Sequence, residues 1–381
     1  MLNTIKVKNF KSIKNAKVRL PKFGGIVGRN AAGKTNLLQA VGFLKDLAVG
    51  NNTKEAQEKI SLISNELFNF NDQTRGFELE TTITAENNKD YLLRVKIKLL
   101  NSSIQPSQLI ISQESLFLLE KTGVEKPIYH REENNLFGGN NKPLPVATEP
   151  NKMALSVYKT PHTDIVREEF RRTIIPQEDI VPLGYIGKGT RGDEAGDLAN
   201  ILVNLKHTQT ESYEEFKVII KKLLPHFSSI IEIPASESES SEKKSYLIVL
   251  QEENLKGKLS MQSVSSGDLK TLFLVSYGMY MKKYSNFFVE EIENGMHEKR
   301  ILDLIDHLET ISRVKKIQII FTTHSPVVIN FLGVHKVIYT EKTPENGTLF
   351  TFLEESEQIT KIKELLKKGG RLTDYLETVQ Y

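Results

Sequence analysis

The eight residues Gly28-Arg29-Asn30-Ala31-Ala32-Gly33-Lys34-Thr35 constrain this chain more than any other feature. They fit the pattern G-x-x-x-x-G-K-[ST] in full, in the surroundings that the pattern needs. Before them, the apolar run from Phe23 to Val27 predicts a short buried strand. After them, Leu37, Leu38, Val41, Leu44 and Ala48 recur at helical spacing. Strand, glycine turn and helix in that order make a phosphate cradle. The glycines let successive backbone N–H groups turn toward β- and γ-phosphates. The helix adds the positive end of its dipole. In such a loop Lys34 bridges phosphate oxygens and the Thr35 hydroxyl ligates Mg²⁺. The expectation is a nucleoside-triphosphate site.

Composition excludes several other classes. The 381 residues contain no cysteine, so disulfide frameworks, Cys-ligated zinc, iron–sulfur clusters and a cysteine nucleophile are ruled out. Absence of cysteine fits a reducing cytoplasm. The charged, alternating N-terminus has no apolar signal stretch. No apolar run nears the ~18 residues of a membrane span. A cytoplasmic protein without membrane association is expected. The net charge of +3 leaves a DNA partner possible without arguing for one.

Along the chain, Ile5, Val7 and Phe10, then Ile13, Val18 and Leu20, alternate with lysines and predict two strands with a solvated face. Leu93, Val95, Ile97 and Leu99 alternate with Arg94, Lys96 and Lys98, a half-buried antiparallel strand. Residues 107–120 are another strand candidate. Asparagines, glycines and prolines make 131–152 a loop. Residues 164–226 read as mostly helical, broken by Pro176, Pro182 and a glycine-rich turn at 184–192. The acidic run 236–242 reads as a hairpin tip between two strands.

A phosphate cradle of this kind needs an acidic residue at the end of a neighbouring strand. Asn286 to Val289 is an apolar run followed at once by Glu290 and Glu291. Buried parallel strands present functional groups at their carboxyl ends. There Glu290 would hold Mg²⁺ through water, and Glu291 would orient or deprotonate an attacking water.

The continuation, Glu290-Glu-Ile-Glu-Asn-Gly-Met-His297, resembles the extended Walker B and D-loop segment of ABC-type ATPases of the RecF, SMC and OLD group. Glu290 stands where that group usually carries Asp. Two further segments carry the same resemblance. Ser263-Val-Ser265-Ser266-Gly267-Asp268, ahead of a helical stretch, resembles a degenerate ABC signature. Ile317 to Pro326, ending in Thr-Thr-His324-Ser-Pro, resembles the H-loop. The match is specific over about 5–36 and 260–332.

The resemblance implies an α/β fold: a P-loop, ABC-type ATPase head with a mixed β-sheet core built from both chain ends, an antiparallel lobe and a helical insertion. The expected division is a discontinuous head at 1–130 and 231–345, an insertion at 131–230 and a tail at 346–381. ATP and Mg²⁺ are the implied cofactors. The nucleotide-binding residues would be Gly28, Arg29, Asn30, Ala31, Ala32, Gly33, Lys34, Thr35 and Asn36, with Ser265, Ser266 and Gly267 gripping the γ-phosphate of an opposing subunit. Thr35 and Glu290 would hold the metal. Lys34, Glu291 and His324 would serve catalysis, His324 as a neutral imidazole at the γ-phosphate or attacking water. A homodimer sandwiching two nucleotides follows from this arrangement.

The insert has prolines and no sustained heptad, so no long coiled-coil arm is expected. Only about fifty residues follow His324, too few for a nuclease domain of ~100 residues. Together with these two features, the resemblance implies the regulatory or motor ATPase of a bacterial anti-phage or toxin-type system, with a separate effector such as a nuclease. The alternative is a RecF-like DNA-binding ATPase of repair or recombination. A transporter subunit is disfavoured by the degenerate signature. Two surfaces offer docking sites: the insert at 164–226, and the tail, where Ile362, Leu365, Leu366 and Leu372 either form an apolar patch or pack on the head.

Overall fold

The computed structural model describes residues 1–59, 64–69, 76–100, 108–176, 198–234, 246–253 and 257–379. The glycine-rich turn at 184–192 and the acidic run at 236–242 lie outside the described residues. No helix among those described is long and apolar enough to cross a membrane.

One sheet of thirteen strands organises the chain. In spatial order its strands are Asn135–Gly138, Glu125–Glu132, Gln108–Leu119, Asp90–Leu100, Gly76–Thr84, Leu2–Phe10, Ile13–Arg19, Gly347–Phe352, Val337–Thr343, Phe23–Val27, Gln318–Thr323, Asn286–Val289 and Thr173–Ile174. From Val337–Thr343 onward the pairs are parallel; the rest are antiparallel. The sheet is thus mixed, and its parallel part joins residues from both ends of the chain.

Burial explains the two patterns. The parallel strands are covered on both faces, so their apolar side chains alternate between two cores. Val27, Phe287, Val289, Ile319 and Phe321 enter one core, with the helix Ser266–Tyr280. Ile26, Phe288 and Ile320 enter the other, with the helix Lys34–Val49. The antiparallel strands are covered on one face. Leu93, Val95 and Ile97 are buried while Arg94 and Lys96 lie half-exposed. Those basic groups meet acids on the same face of the sheet: Arg94 contacts Glu80 on the adjacent strand and Glu125 two strands away at 2.8 Å each, and Lys96 contacts Glu78 at 3.1 Å.

Several local expectations change. Residues 131–152 contain the strand Asn135–Gly138, which pairs with Glu125–Glu132. Its composition reads as a loop, yet Phe137 faces His130 with the rings stacked 4.9 Å apart. Thr173–Ile174 is too short to show a period and is held by pairing with Asn286 and Phe287. The tail has two helices, Ile359–Lys367 and Leu372–Val379. Ile362, Leu372 and Leu376 are buried in the head core, so these residues pack on the head.

The insert's helices Pro161–Arg171, Leu198–Thr208 and Thr210–Leu223 have 11, 11 and 14 residues, too short for a coiled-coil arm. The last two bury Leu202, Leu205, Phe216 and Ile220 in the core that holds the Ser266–Tyr280 helix. A small antiparallel sheet, Phe227–Pro234, Tyr246–Glu252 and Lys258–Ser260, leads the chain into that helix.

Candidate nucleotide site

The strand Phe23–Val27 is completely buried between two parallel neighbours, and its carboxyl end opens into the loop Gly28–Gly33. The loop's shape depends on residues without side chains. A β-carbon on Gly28 would lie 2.3 Å from the Thr340 carbonyl oxygen, and one on Gly33 would lie 2.4 Å from Thr348 Oγ1. Ala31 and Gly33 both have positive φ, 62° and 101°. The curled backbone is held from behind by an oriented chain of hydrogen bonds. Asn36 Nδ2 donates to Ser12 Oγ (2.6 Å), Ser12 to Thr348 Oγ1 (2.7 Å), and Thr348 to the Ala32 carbonyl (2.8 Å).

The helix Lys34–Val49 begins at this loop, and no side chain caps its N-terminus. Its first N–H groups therefore suit an anion. Lys34 Nζ lies across the loop, donating to the Gly28 and Arg29 carbonyls at 2.8 and 2.9 Å. Burial pushes its pKa below the ordinary lysine value; the negative charges of Glu293, Glu291 and Glu290 oppose that drop. Arg29, Asn30 and Ala31 are exposed at the rim, and Ala32 is buried.

The acid pair meets the loop directly. Thr35 Oγ1 donates to Glu290 Oε1, although 255 residues separate them. Two hard oxygen donors in contact beside a phosphate cradle fit Mg²⁺, which binds through one or two such groups plus phosphates. Glu291 is exposed and has φ 42°. Its backbone N–H donates to Thr322 Oγ1 at 2.8 Å. Lys270 Nζ donates to the carbonyls of both Glu290 and Glu291, which ties the Ser266–Tyr280 helix to the acid pair.

The serine–glycine turn opens that helix. Ser265 is its N-cap, its hydroxyl accepting from the Asp268 N–H at 3.2 Å. Ser265 and Ser266 are exposed, and among the described residues they form no hydrogen bond to the P-loop. Gly267 packs on the turn that follows the acid pair, against Gly295. Asp268 accepts from Arg300 and lies 3.4 Å from His226 Nε2. His324 follows the strand Gln318–Thr323 and is half exposed, with its Nδ1 3.1 Å from Glu293 Oε1.

The structure therefore gathers Lys34, Thr35, Glu290, Glu291 and His324 around the carboxyl ends of adjacent parallel strands. Five contributors escaped the sequence reading: Glu293, Lys270, Ser12, Thr348 and Thr322. Glu293 stands inside the quoted acidic segment, but only its turn, closed by Asn294 N–H to Glu291 O and Met296 N–H to Glu293 O, brings it back to the site. A cavity of about 440 Å³ lies elsewhere, on the antiparallel strands among Lys6, Glu78, Glu80, Arg94 and Lys96. Its charges are largely paired with one another.

This sheet, with the P-loop at the end of one parallel strand and the acid pair two strands away, has the fold of an ABC-type P-loop ATPase head. The chain belongs to the family described as "AAA domain, putative AbiEii toxin, Type IV TA system", whose profile matches residues 25–330. No curated protein matches the sequence. Solved Smc heads share the fold at low identity. An Smc head with an extended coiled coil, bound to the C-terminal domain of ScpA from Pyrococcus furiosus, is 14% identical. It superposes with a TM-score of 0.58 over 96% of this chain and 98% of that one. An Smc head with a coiled coil and joint, from Pyrococcus yayanosii, gives 0.58 at 11% identity, over 95% and 99%. An Smc head bound to the C-winged helix domain of ScpA gives 0.55 at 16%, over 92% and 97%.

Proposed function

We propose that this chain binds and hydrolyses ATP with Mg²⁺, closes head to tail with a second copy, and so switches a separate effector in a bacterial anti-phage or toxin-type system. The observation that carries the ATPase reading is the cluster of Lys34, Thr35, Glu290 and Glu291 at one end of the parallel strands.

Thr35 and Glu290 would hold Mg²⁺, which would supply charge neutralisation for the phosphates. Lys34 releases the two loop carbonyls and takes phosphate oxygens instead, and the uncapped N–H groups of its helix add to the field. Glu291 accepts a proton from the attacking water, and His324 contacts that water or the γ-phosphate. Ser265 and Ser266 are exposed and form no hydrogen bond to their own P-loop among the described residues, which supports a role on the nucleotide of the opposing copy. Closure then gives ATP differential contacts between open and closed states, the requirement for moving a bound partner.

The toxin-type role draws support from the family description. The separate partner draws support from the Smc heads that carry pieces of ScpA. The RecF-like alternative calls for a basic face. Arg94, Lys96 and Lys8 on the antiparallel strands are already paired with glutamates, so they add little surplus charge.

The deciding experiment compares Glu291→Gln with Lys34→Ala. The first should lower turnover by about 10²–10⁴-fold and leave ATP binding intact; the second should weaken binding itself. Unchanged hydrolysis in Glu291→Gln refutes the assignment. Affinity purification from the native host should recover a second protein. Recovery of the homo-oligomer alone, with tight, salt-sensitive DNA binding, selects the RecF-like reading.

A further inference from the structure

We infer that Thr348 is a positioning residue of the nucleotide site: by holding the Ala32 carbonyl it aims the Gly33 N–H at a phosphate oxygen of the bound nucleotide. This rests on the nucleotide-binding reading above, and it adds a residue 316 positions away in sequence from the one it holds.

Every hydrogen in the relay behind the loop can be placed. A carbonyl only accepts, so Thr348 Oγ1 must spend its one hydrogen on the Ala32 oxygen, 2.8 Å away. Ser12 must then be the donor to Thr348 Oγ1, at 2.7 Å. With the Ser12 hydrogen spent, Asn36 must offer Ser12 its Nδ2–H, at 2.6 Å. The relay therefore runs in one direction and ends on one backbone carbonyl. Its last member is rigidly mounted. Thr348 is fully buried. Its N–H donates to the Ser12 carbonyl at 2.9 Å, and Gly347 before it pairs with Ile13.

The peptide bond carries this constraint to the other side of the loop. A trans peptide unit is planar, so its C=O and N–H point in opposite directions. With the Ala32 carbonyl drawn toward buried Thr348, the Gly33 N–H is directed away from it. That N–H forms no hydrogen bond among the described residues. It precedes the uncapped start of the Lys34–Val49 helix, and so adds one more free donor to that anion-seeking end. Gly33 is fitted to the same contact. A β-carbon there would lie 2.4 Å from Thr348 Oγ1 and 2.7 Å from Ser12 Oγ. The two relay hydroxyls fill the space of a side chain, so this position needs glycine for the relay as well as for its φ of 101°. The relay's two ends, Ala32 and Asn36, also bracket Lys34 and Thr35. Without the Thr348 hydrogen bond, glycine leaves the Ala32–Gly33 peptide free to rotate.

The test uses the full chain, with AMP-PNP and Mg²⁺ as the probe. Labelling with ¹³C-carbonyl alanine and ¹⁵N-glycine isolates the Ala–Gly peptides by NMR. The sequence has two, Ala32–Gly33 and Ala195–Gly196, and Ala195→Ser removes the second. The Gly33 amide should move downfield when AMP-PNP binds. In Thr348→Val that movement should be lost, and AMP-PNP affinity, read by calorimetry, should fall about tenfold or more. Thr348→Ser keeps the donor and should recover both. A native Gly33 amide that does not respond to bound AMP-PNP overturns the inference, whether or not Thr348→Val folds. So does a folded Thr348→Val chain that binds as tightly as the native one, or a Thr348→Ser chain that behaves like Thr348→Val. Failure of the ATPase reading looks different: AMP-PNP binds and the Gly33 amide responds, yet Glu291→Gln hydrolyses ATP as fast as the native chain.

Discussion

Gly267 and Gly295 are packed so closely that a β-carbon on Gly267 would lie 2.0 Å from the Gly295 carbonyl oxygen. Gly295 itself has φ 77°, a conformation that favours glycine. The serine–glycine turn and the turn after the acid pair are thereby one packed unit. Any movement of the acid-pair turn is felt at Ser266, whose Oγ lies 3.0 Å from where a Gly295 β-carbon would be.

Gly267→Ala should therefore force the two turns apart. Overpacking of this kind costs about 1–3 kcal/mol, so the melting temperature should fall and ATP-dependent dimerisation should be lost. Gly257 provides the control, because a β-carbon there meets nothing within 4 Å. Thermal melting and light scattering of Gly267→Ala against Gly257→Ala check this. Equal behaviour of the two variants refutes the packing argument.

Ser266→Arg places a long cation on the exposed side of the same turn. It should leave the monomer folded and able to bind ATP, while blocking closure of an ATP-loaded dimer. Native mass measurement in the Glu291→Gln background reads this out. An ATP-dependent dimer of the Ser266→Arg chain would remove the serines from the interface.

Lys270→Met removes the ammonium that holds the Glu290 and Glu291 carbonyls, while keeping most of the side-chain volume. Glu291 sits in a left-handed backbone conformation, which a non-glycine residue adopts only when its surroundings hold it. Turnover should fall several-fold with ATP affinity preserved. A full rate in this variant would show that Thr322 alone holds the Glu291 backbone.

Glu114 provides a test of stability against pH. Its buried carboxylate accepts from Tyr129 OH and from the Ala154 and Leu155 N–H groups at 2.6 and 2.8 Å. Arg131 is the charge that faces it. Burial raises its pKa, and those hydrogen bonds only partly oppose the rise. The folded state thus holds this proton more tightly than the unfolded chain. The linked stability is fully present below the ordinary glutamate pKa and is lost as pH rises through the higher folded value. Melting temperatures of the native protein relative to Glu114→Gln should therefore decline as pH rises across that window. A difference that is flat, or that grows with pH, contradicts the raised pKa.

The sequence by itself determined the pieces whose physics is local. The glycine pattern of 28–33, the helix from Lys34, the apolar strands ending at Val289 and Thr323, and the alternation of 93–99 are legible because each depends on consecutive residues. A backbone that needs positive φ, a helical period or a buried run leaves its mark within about ten positions. Even the serine–glycine turn is visible this way, as an N-cap before an apolar helix.

Tertiary structure decided what those pieces touch. Thr35 meets Glu290, Glu293 meets His324, Lys270 meets the Glu290 and Glu291 carbonyls, and Gly267 meets Gly295. The four-residue strand Asn135–Gly138 and the two-residue strand Thr173–Ile174 are too short to show a period and are defined by the neighbouring strands they pair with. The tail's apolar residues lie in the head core because the sheet and its helices leave a surface there for them to cover. The reason is common to all of these. Which strands become neighbours is set by the order of a thirteen-stranded sheet built from both ends of the chain. Contacts between residues far apart in sequence follow from that order, and no local period carries it.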